Sequence, residues 1–259
     1  MGLDSLDSTT IILLVFAGLF AGWVDAVVGG GGLIQLPAVL MVPGLAPVQA
    51  LAVNKLGSSF GTAASALTYY RSVPSNLKML LPAAVVALVT SFGGAMTATL
   101  IPAPAFKPII LCALVVVLAF TALKPSMGEL TQIKHTGRKH LLVGLVIGAV
   151  IGFYDGILGP GTGSFLMIAL ITLQGFNFLM ATAQTKIINL ATNIGALILF
   201  GLLGYQVWGL GLLLGAANLC GGYLGARTAI SRGNGFIRIM MIVVVSALIL
   251  NLGWDMVVA

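Results

Sequence analysis

The sequence predicts an all-α, polytopic membrane protein made of two inverted repeats of five segments, each with a short broken half-helix after a glycine-rich turn. The first observation behind this prediction is composition: 59% of the 259 residues are hydrophobic and 7% are charged, whereas an average soluble domain carries about 25% charged residues. The second is that apolar segments of membrane-spanning or half-spanning length recur along the whole chain. The third is that the second half of the sequence repeats the first.

The apolar segments fall into two groups of five. Those of the first half cover residues 10–28, 33–45, 46–70, 78–100 and 105–123. Those of the second half cover residues 140–158, 163–174, 178–203, 206–228 and 235–254. We therefore expect a first membrane repeat at 1–123, a cytoplasmic linker at 124–139 and a second membrane repeat at 140–259.

The same ordered motif of glycines and one aspartate occurs in both halves, 130 residues apart. In the first half its members are Gly18, Gly22, Asp25, Gly29 and Gly31. In the second half they are Gly148, Gly152, Asp155, Gly159 and Gly161. Farther along, Lys55 is matched by Lys186 at a separation of 131 residues. An ordered match of this kind indicates an internal duplication.

The number of crossings in each half decides whether the two halves are inverted. The second segment of each half, Leu33–Val42 and Ser164–Leu173, supplies about 15 Å of helix against roughly 30 Å of hydrocarbon. It is either re-entrant, which leaves four crossings, or a half-helix preceded by extended glycine-rich chain, which makes five. Five crossings place nine basic residues on one side and Lys107 on the other, whereas four give six against four. The positive-inside rule thus favours five, with inverted halves, both termini outside and the linker in the cytoplasm.

Lys55 and Lys186 are the basic residues that lie well inside apolar segments. An intramembrane lysine costs about 2.5–3.5 kcal/mol on insertion scales, so it is rarely without a role. One hypothesis is that the two lysines attract an anion. The alternatives are a structural ion pair with Asp25 or Asp155, or snorkelling of the ammonium group to an interface.

Other polar groups accompany the lysines. The same two helices carry further candidate ligand contacts at Asn54, Ser58, Gln184 and Asn189. The glycine-rich runs 29–32 and 159–163 each precede a short helix, and bare N–H groups at a helix N-terminus attract anions. The candidate contacts within these runs are Gly30, Gly31, Gly161 and Thr162. The alternative is that the glycines only permit a tight break and close packing.

These motifs resemble a known family. The run from Gly22 to Gly32, followed by Pro37 and then by Asn54-Lys55 before a helix rich in Ser, Gly and Thr, resembles the sulfite exporter TauE/SafE family, also described as toluene-sulfonate uptake permeases. The stretch 154–165 is similar to the YfcA-type branch of that family. The resemblance covers nearly the whole chain and implies a plasma-membrane transporter for sulfite, sulfonates or related small organic anions.

The sequence therefore predicts a secondary transporter for small oxyanions, in which Lys55 and Lys186 supply positive charge and the glycine turns supply N–H donors. The rival functions are an anion channel and a proton- or cation-coupled carrier built on Asp25 and Asp155. An intramembrane enzyme is disfavoured because the sequence lacks a nucleophile–base set. We expect a small anionic substrate and the lipid bilayer as partners, and no cofactor, metal or nucleic acid. The oligomeric state stays open, a homodimer included.

Overall fold

The computed structural model describes residues 6–100, 115 and 128–258. Across these residues the regular structure is helical, and they contain no strand. The predicted all-α class is therefore confirmed for the described part of the chain. The predicted segment 105–123 lies outside the described residues except at position 115.

Four described helices form the first half: α1 (Ser8–Val28), α2 (Gly32–Leu40), α3 (Pro47–Ser72) and α4 (Leu77–Ala98). They agree with the predicted segments to within a few residues at most ends. The nine residues of α2 span only about 14 Å at 1.5 Å per residue. This is the short half-helix expected after the first glycine turn.

The second half begins with α5 (Gly137–Ile157), α6 (Thr162–Ala169) and α7 (Phe178–Leu202). The helix α6 follows the second glycine turn and continues into a π-helical turn at Leu170–Gln174. Each half thus places a long helix, a glycine turn, a short helix and a second long helix in the same order.

The last helix, α8 (Trp208–Val258), is broken at Gly233, whose φ of 73° and ψ of −164° are not helical. The predicted gap between segments 206–228 and 235–254 includes this residue. The neighbouring Asn234 donates from Nδ2 to the carbonyl of Glu129 at 3.0 Å, and its Oδ1 accepts from the amide of Leu179 at 2.8 Å. The break is therefore fixed against both the linker and the start of α7.

Five helices among the described residues are long and apolar enough to cross a membrane: α1, α4, α5, α7 and the Trp208–Ala247 part of α8. The helix α3 has 26 residues but is less hydropathic, because it carries Lys55 and several amides and hydroxyls. Its polar face is covered by protein, as backbone and side-chain polar groups in a bilayer require. The chain is a multi-pass membrane protein.

The two halves are interleaved. The helix α4 packs along α5, and its counterpart α8 packs along α1; α3 packs against α8, and its counterpart α7 packs against α4. Exchanging the halves maps each of these contacts onto the other. Small residues permit the close approach: a Cβ on Gly148 would lie 2.5 Å from the carbonyl oxygen of Ala83, and one on Gly152 2.7 Å from that of Ala87.

The order of contacts gives the helix directions. Along α4 and α5 the contacts advance together, from Ala83 with Gly148 to Ala87 with Gly152, so these helices run in the same direction. The helices α1 and α3 also run together, because Leu14 and Val53, near their starts, belong to one hydrophobic cluster and the Tyr69 hydroxyl, near the end of α3, donates to a carbonyl near the end of α1.

The helices α3 and α4 run in opposite directions. Only residues 73–76 separate the end of α3 from the start of α4. The start of α3 packs instead against the far ends of α4 and α7, through a cluster of Leu51, Ala95 and Phe200. Among the long helices, α1 and α3 therefore run in one direction, and α4, α5 and α7 run in the other.

Candidate functional site

Two buried ion pairs connect the halves. Lys55 of α3 lies 2.7 Å from the carboxylate of Asp155 on α5, and Lys186 of α7 lies 2.9 Å from that of Asp25 on α1. Each lysine therefore pairs with the aspartate of the other half. The sequence left a structural Lys–Asp pair open as an alternative, and the structure contains two such pairs.

The Lys55–Asp155 pair is a close contact without directed hydrogen bonding. The Asp155 Oδ2 atom is 2.7 Å from Lys55 Nζ, yet it has no partner with hydrogen-bond geometry. Lys55 Nζ donates to Asn193 Oδ1 at a long 3.4 Å. Gly159 leaves room for this ammonium group, since a Cβ there would lie 3.0 Å from Lys55 Nζ.

In the Lys186–Asp25 pair the lysine is fully enclosed, whereas the aspartate side chain is 13% exposed. The Lys186 side chain is 0% exposed, and its Nζ donates both to Asp25 Oδ2 at 2.9 Å and to the backbone carbonyl oxygen of Asp25. Two acceptors on one residue hold this ammonium group in place. Such an arrangement fixes α7 against α1 and leaves little of the lysine for a ligand.

The two glycine turns lie against each other. Gly29 and Gly163 are in direct backbone contact, and Ser164 donates from Oγ to the carbonyl of Val28 at 2.7 Å. The backbones of Gly29 and Gly159 adopt φ values of 81° and 83°, a region that side-chain-bearing residues rarely occupy. Glycine is therefore required at both positions by the backbone conformation, and at Gly29 also by the close crossing of the two turns.

A small polar cavity opens where the turns, α3 and α7 meet. The residues that line it are Asp25, Gly29, Gly32, Asn54, Lys55, Ser58, Thr62, Asp155, Gly159, Asn189 and Asn193. One wall is a single face of α3, because Lys55, Ser58 and Thr62 follow one another at spacings of three and four. The cavity draws on both halves and holds the Lys55–Asp155 pair.

An unpaired polar atom also belongs to this cavity. Asn54 is 3% exposed, and its Oδ1 has no hydrogen-bond partner among the described residues. A buried amide group without a partner costs about 1–3 kcal/mol. A water molecule or a bound ligand in the cavity would remove that cost.

Six of the predicted site residues line the cavity: Asn54, Lys55, Ser58, Asn189, Asp25 and Asp155. The other predicted lysine, Lys186, does not line the cavity; it is buried and contacts the carboxylate of Asp25. Gln184 lines a separate small cavity together with His140 and Gln174. The sequence placed all of them in one site because it could not tell which helix face each residue occupies.

The four predicted glycine-turn contacts have local structural roles. The carbonyl of Gly30 accepts from Leu33 N at 3.1 Å. A Cβ on Gly31 would lie 2.5 Å from the Cβ of Asp25, so Gly31 is a close-packing residue. Gly161 has φ 85° at the start of α6, and Thr162 donates from Oγ1 to the carbonyl of Gly159 at 2.7 Å.

Four polar residues were not assigned to the site by the sequence analysis. Thr62 and Asn193 line the cavity, and Thr62 could have been found because it lies seven residues after Lys55, on the same face of a helix. Gln35 and Asn218 form a buried network beside the cavity: Asn218 Nδ2 donates to Gln35 Oε1 at 2.6 Å. Only their polarity within apolar segments could have indicated them.

The buried charges of the site cancel. Lys55 and Lys186 contribute two positive charges and Asp25 and Asp155 two negative charges. The remaining described basic residues lie toward one end of the helix bundle: Arg71, Lys78, Lys134, Arg138, Lys139, Arg227, Arg232 and Arg238. The two pairs together are thus electrically neutral, and the cavity wall carries the ammonium group of Lys55 and the carboxylates of Asp25 and Asp155.

Comparison with known proteins identifies the family. A family model described as sulfite exporter TauE/SafE matches residues 14–252. "Probable membrane transporter protein ORF9" of a Sinorhizobium species is 38% identical over 242 residues, which cover 93% of this chain and 92% of the relative. "Probable membrane transporter protein YfcA" of Escherichia coli K12 is 33% identical over 243 residues, 94% of this chain and 89% of the relative.

A "Probable membrane transporter protein" of Haemophilus influenzae is 32% identical over 251 residues, which cover 94% of this chain and 96% of the relative. No solved structure matches this chain. Since the family model matches almost the full length and the relatives share that length, the chain belongs to the sulfite exporter TauE/SafE family of membrane transporters.

Proposed function

We propose that this protein is a secondary transporter that binds one small oxyanion, such as sulfite or a sulfonate, in the cavity beside Lys55. The observation that carries the proposal is the polar cavity between the halves, with the Lys55 ammonium group at its wall. The donors offered to the anion are Lys55 Nζ, the hydroxyl of Ser58, and the amides of Asn54 and Asn189. Charge-assisted hydrogen bonds of this kind are the strong ones.

The family supports the substrate class. The matching family model is described as a sulfite exporter, whereas the curated relatives are described only as probable membrane transporters. Sulfite and sulfonates present three oxygens around one sulfur, so they suit several converging donors. The cavity at the crossing of two broken helices corresponds to where secondary transporters commonly bind substrate.

The repeats belong to the proposal as inverted units, 1–123 and 140–259. The helix α1 runs with α3 and opposite to α4, while α5 runs with α4. The equivalent helices α1 and α5 therefore have opposite directions, which supports inversion. Because α1 and α3 run in the same direction, residues 29–46 return across the membrane between them, which supports five crossings over a re-entrant second segment.

The basic residues support an orientation with linker 124–139 in the cytoplasm. Arg71 ends α3, Lys78 begins α4 and Arg138 begins α5, and helix directions bring these three ends to one side. Arg238 lies 3.9 Å from Glu129 of the linker, which adds the region after the break in α8 to the same side. Cytoplasmic loops carry an excess of Lys and Arg.

The test is uptake of radiolabelled sulfite and methanesulfonate into proteoliposomes. We expect uptake that saturates with substrate concentration and is lost in Lys55→Met/Asp155→Asn, which removes the ammonium group without leaving a buried charge unpaired. The matched control is Lys186→Met/Asp25→Asn, which neutralises the other pair and should keep measurable uptake. Uptake that rises without saturation would indicate a channel, and no uptake of either anion by the wild type would disprove the proposed substrate class.

A further inference from the structure

We propose that Asp155 is the site of a coupling proton, and that its carboxylate competes with the substrate for Lys55. The inference rests on the proposed function, because it assumes that Lys55 contacts an oxyanion. It adds the coupling ion, the residue that carries it and a stoichiometry of one proton per monovalent anion.

The competition follows from the geometry of Lys55. Its Nζ lies 2.7 Å from Asp155 Oδ2, and its hydrogen bond to Asn193 Oδ1 is long, at 3.4 Å. The positive charge of Lys55 is therefore balanced mainly by the Asp155 carboxylate. An oxyanion in the cavity gains the full attraction of Lys55 only when that carboxylate is neutralised or displaced.

Charge balance identifies what has to accompany the anion. Asp25, Asp155, Lys55 and Lys186 sum to zero, and the part of the chain that the structure describes places no other charged side chain at the cavity. A monovalent anion would leave a net negative charge buried inside the membrane protein, which is costly. One proton restores neutrality.

The proton belongs on Asp155 rather than on Asp25 because only Asp155 is paired with a lysine that lines the cavity. Both carboxylates line the cavity, but the Asp25 carboxylate is hydrogen-bonded by Lys186, which lies outside the lining and also donates to the Asp25 carbonyl. Protonation of Asp155 therefore frees the cavity lysine, whereas protonation of Asp25 would free a lysine that does not reach the cavity. The neighbouring titratable group on its own helix, Tyr154, is engaged in a 2.9 Å hydrogen bond to the carbonyl of Pro160.

A proton fits the site better than a sodium ion. The position next to the Asp155 carboxylate is already occupied by Lys55 Nζ at 2.7 Å, so a metal cation there would be repelled at close range. Protonation removes the charge of the carboxylate and adds no further metal ion to the cavity. The ammonium group is then released toward the substrate.

The transport cycle balances in protons and charge. A proton from the compartment of higher acidity binds the Asp155 carboxylate, the Lys55 contact loosens and one anion oxygen accepts from Lys55 Nζ. After the site is exposed to the other side, the anion leaves, the carboxyl proton passes to water and the ion pair re-forms. The empty carrier returns with no net buried charge, and no covalent bond of the substrate changes.

The experiment measures proton uptake upon binding of methanesulfonate, which remains a monovalent anion across the working pH range. Calorimetric titrations of the detergent-purified protein in buffers of different ionisation enthalpy give the number of protons bound per anion. We expect about one, with affinity falling about tenfold per pH unit on the alkaline side, as linkage to one proton requires. In Asp155→Asn we expect no proton uptake and an affinity independent of pH.

The matched control is Lys186→Met/Asp25→Asn, which neutralises the other pair without changing the net charge and should retain one proton per anion whatever its affinity. Anion binding by the wild type without proton uptake, or binding that requires sodium at fixed pH, would overturn the inference and leave the proposed function standing. Loss of proton uptake in this control but not in Asp155→Asn would also overturn it. Failure of the wild type to bind either methanesulfonate or sulfite would overturn the proposed function itself. If Asp155→Asn does not fold, a control that takes up no proton would still overturn the inference, and one that keeps the proton would support it.

Discussion

The two Lys–Asp pairs occupy equivalent positions of the repeated motif, yet they differ in what surrounds them. Lys55 lines a polar cavity beside Asp155, whereas Lys186 is fully enclosed and donates twice to Asp25. The same motif therefore places its two lysines in different environments. Under the proposed mechanism, the Lys55–Asp155 pair exchanges partners and the Lys186–Asp25 pair holds the halves together.

The largest effect should come from breaking the Lys186–Asp25 pair. Lys186→Ala leaves the Asp25 carboxylate, which is only 13% exposed, without its partner, and removing one member of a buried pair costs about 3–5 kcal/mol. We expect a large loss of thermal stability in detergent, followed by fluorescence or light scattering. The double variant Lys186→Ala/Asp25→Asn should recover much of it. A stable single variant with lost anion affinity would reverse the roles of the two pairs.

The Lys55–Asp155 pair should show its effect in anion affinity. Lys55→Ala removes the ammonium group that contacts the proposed anion, and a hydrogen bond to a charged group contributes about 1.5–3 kcal/mol, so affinity should fall by about 10- to 150-fold. Calorimetry with methanesulfonate measures this per folded molecule. The variant also leaves the Asp155 carboxylate, which is 2% exposed, without its partner, so its stability should fall as well, and the loss of affinity is what distinguishes it from Lys186→Ala.

The sequence predicted the charged residues of this comparison but not the difference between them. The repeated spacing of aspartate, glycines and lysine was enough to identify both halves of both pairs. The spacing is the same in each half, so it could not show that each lysine reaches across to the other half. That choice is made by the interleaving of α4 with α5 and of α1 with α8, which depends on long-range packing.

The short helices show a similar limit. Their lengths and the glycine turns before them were predicted from apolar runs and glycine positions. Gln35 in α2 corresponds to Phe165 in α6 at the repeat spacing of 130, and only Gln35 bonds to Asn218 and to the carbonyl of Asn54. A single sequence does not indicate that such a substitution builds a polar network on one side of the cavity.

The glycine turns extend the comparison at moderate cost. Gly161→Ala places a side chain at φ 85°, a left-handed conformation that costs about 1–2 kcal/mol for residues other than glycine. Gly31→Ala has an ordinary φ of −58° and should destabilise through its contact with Asp25 instead. Thermal unfolding should show both losses, with anion affinity per folded molecule nearly unchanged in Gly161→Ala.

Gly93→Ala is the control for both glycine variants, because a Cβ there would meet nothing within 4 Å. Alanine is favoured over glycine within a helix by about 1 kcal/mol, so this variant should be at least as stable as the wild type. A Gly161→Ala protein of full stability but weakened affinity would instead place the N–H groups of the second turn in the binding site.

The smallest effect expected is at the hydroxyl that supports the cavity from α3. Thr62 Oγ1 accepts from Asn193 Nδ2 at 3.4 Å, and Asn193 Oδ1 in turn accepts from Lys55 Nζ at 3.4 Å. Thr62→Val keeps the side-chain shape but removes this acceptor, so Asn193 is held less firmly and Lys55 loses part of its orientation. A neutral hydrogen bond contributes about 1 kcal/mol, which corresponds to about a fivefold loss of methanesulfonate affinity.

Thr68→Val on the same helix is the matched control, since its hydroxyl bonds only the carbonyl of Ala64 at 2.7 Å and faces away from the cavity residues. Equal affinities in the two variants would show that the chain from Thr62 to Lys55 does not position the ammonium group, and would confine the working pair to Lys55 and Asp155 themselves.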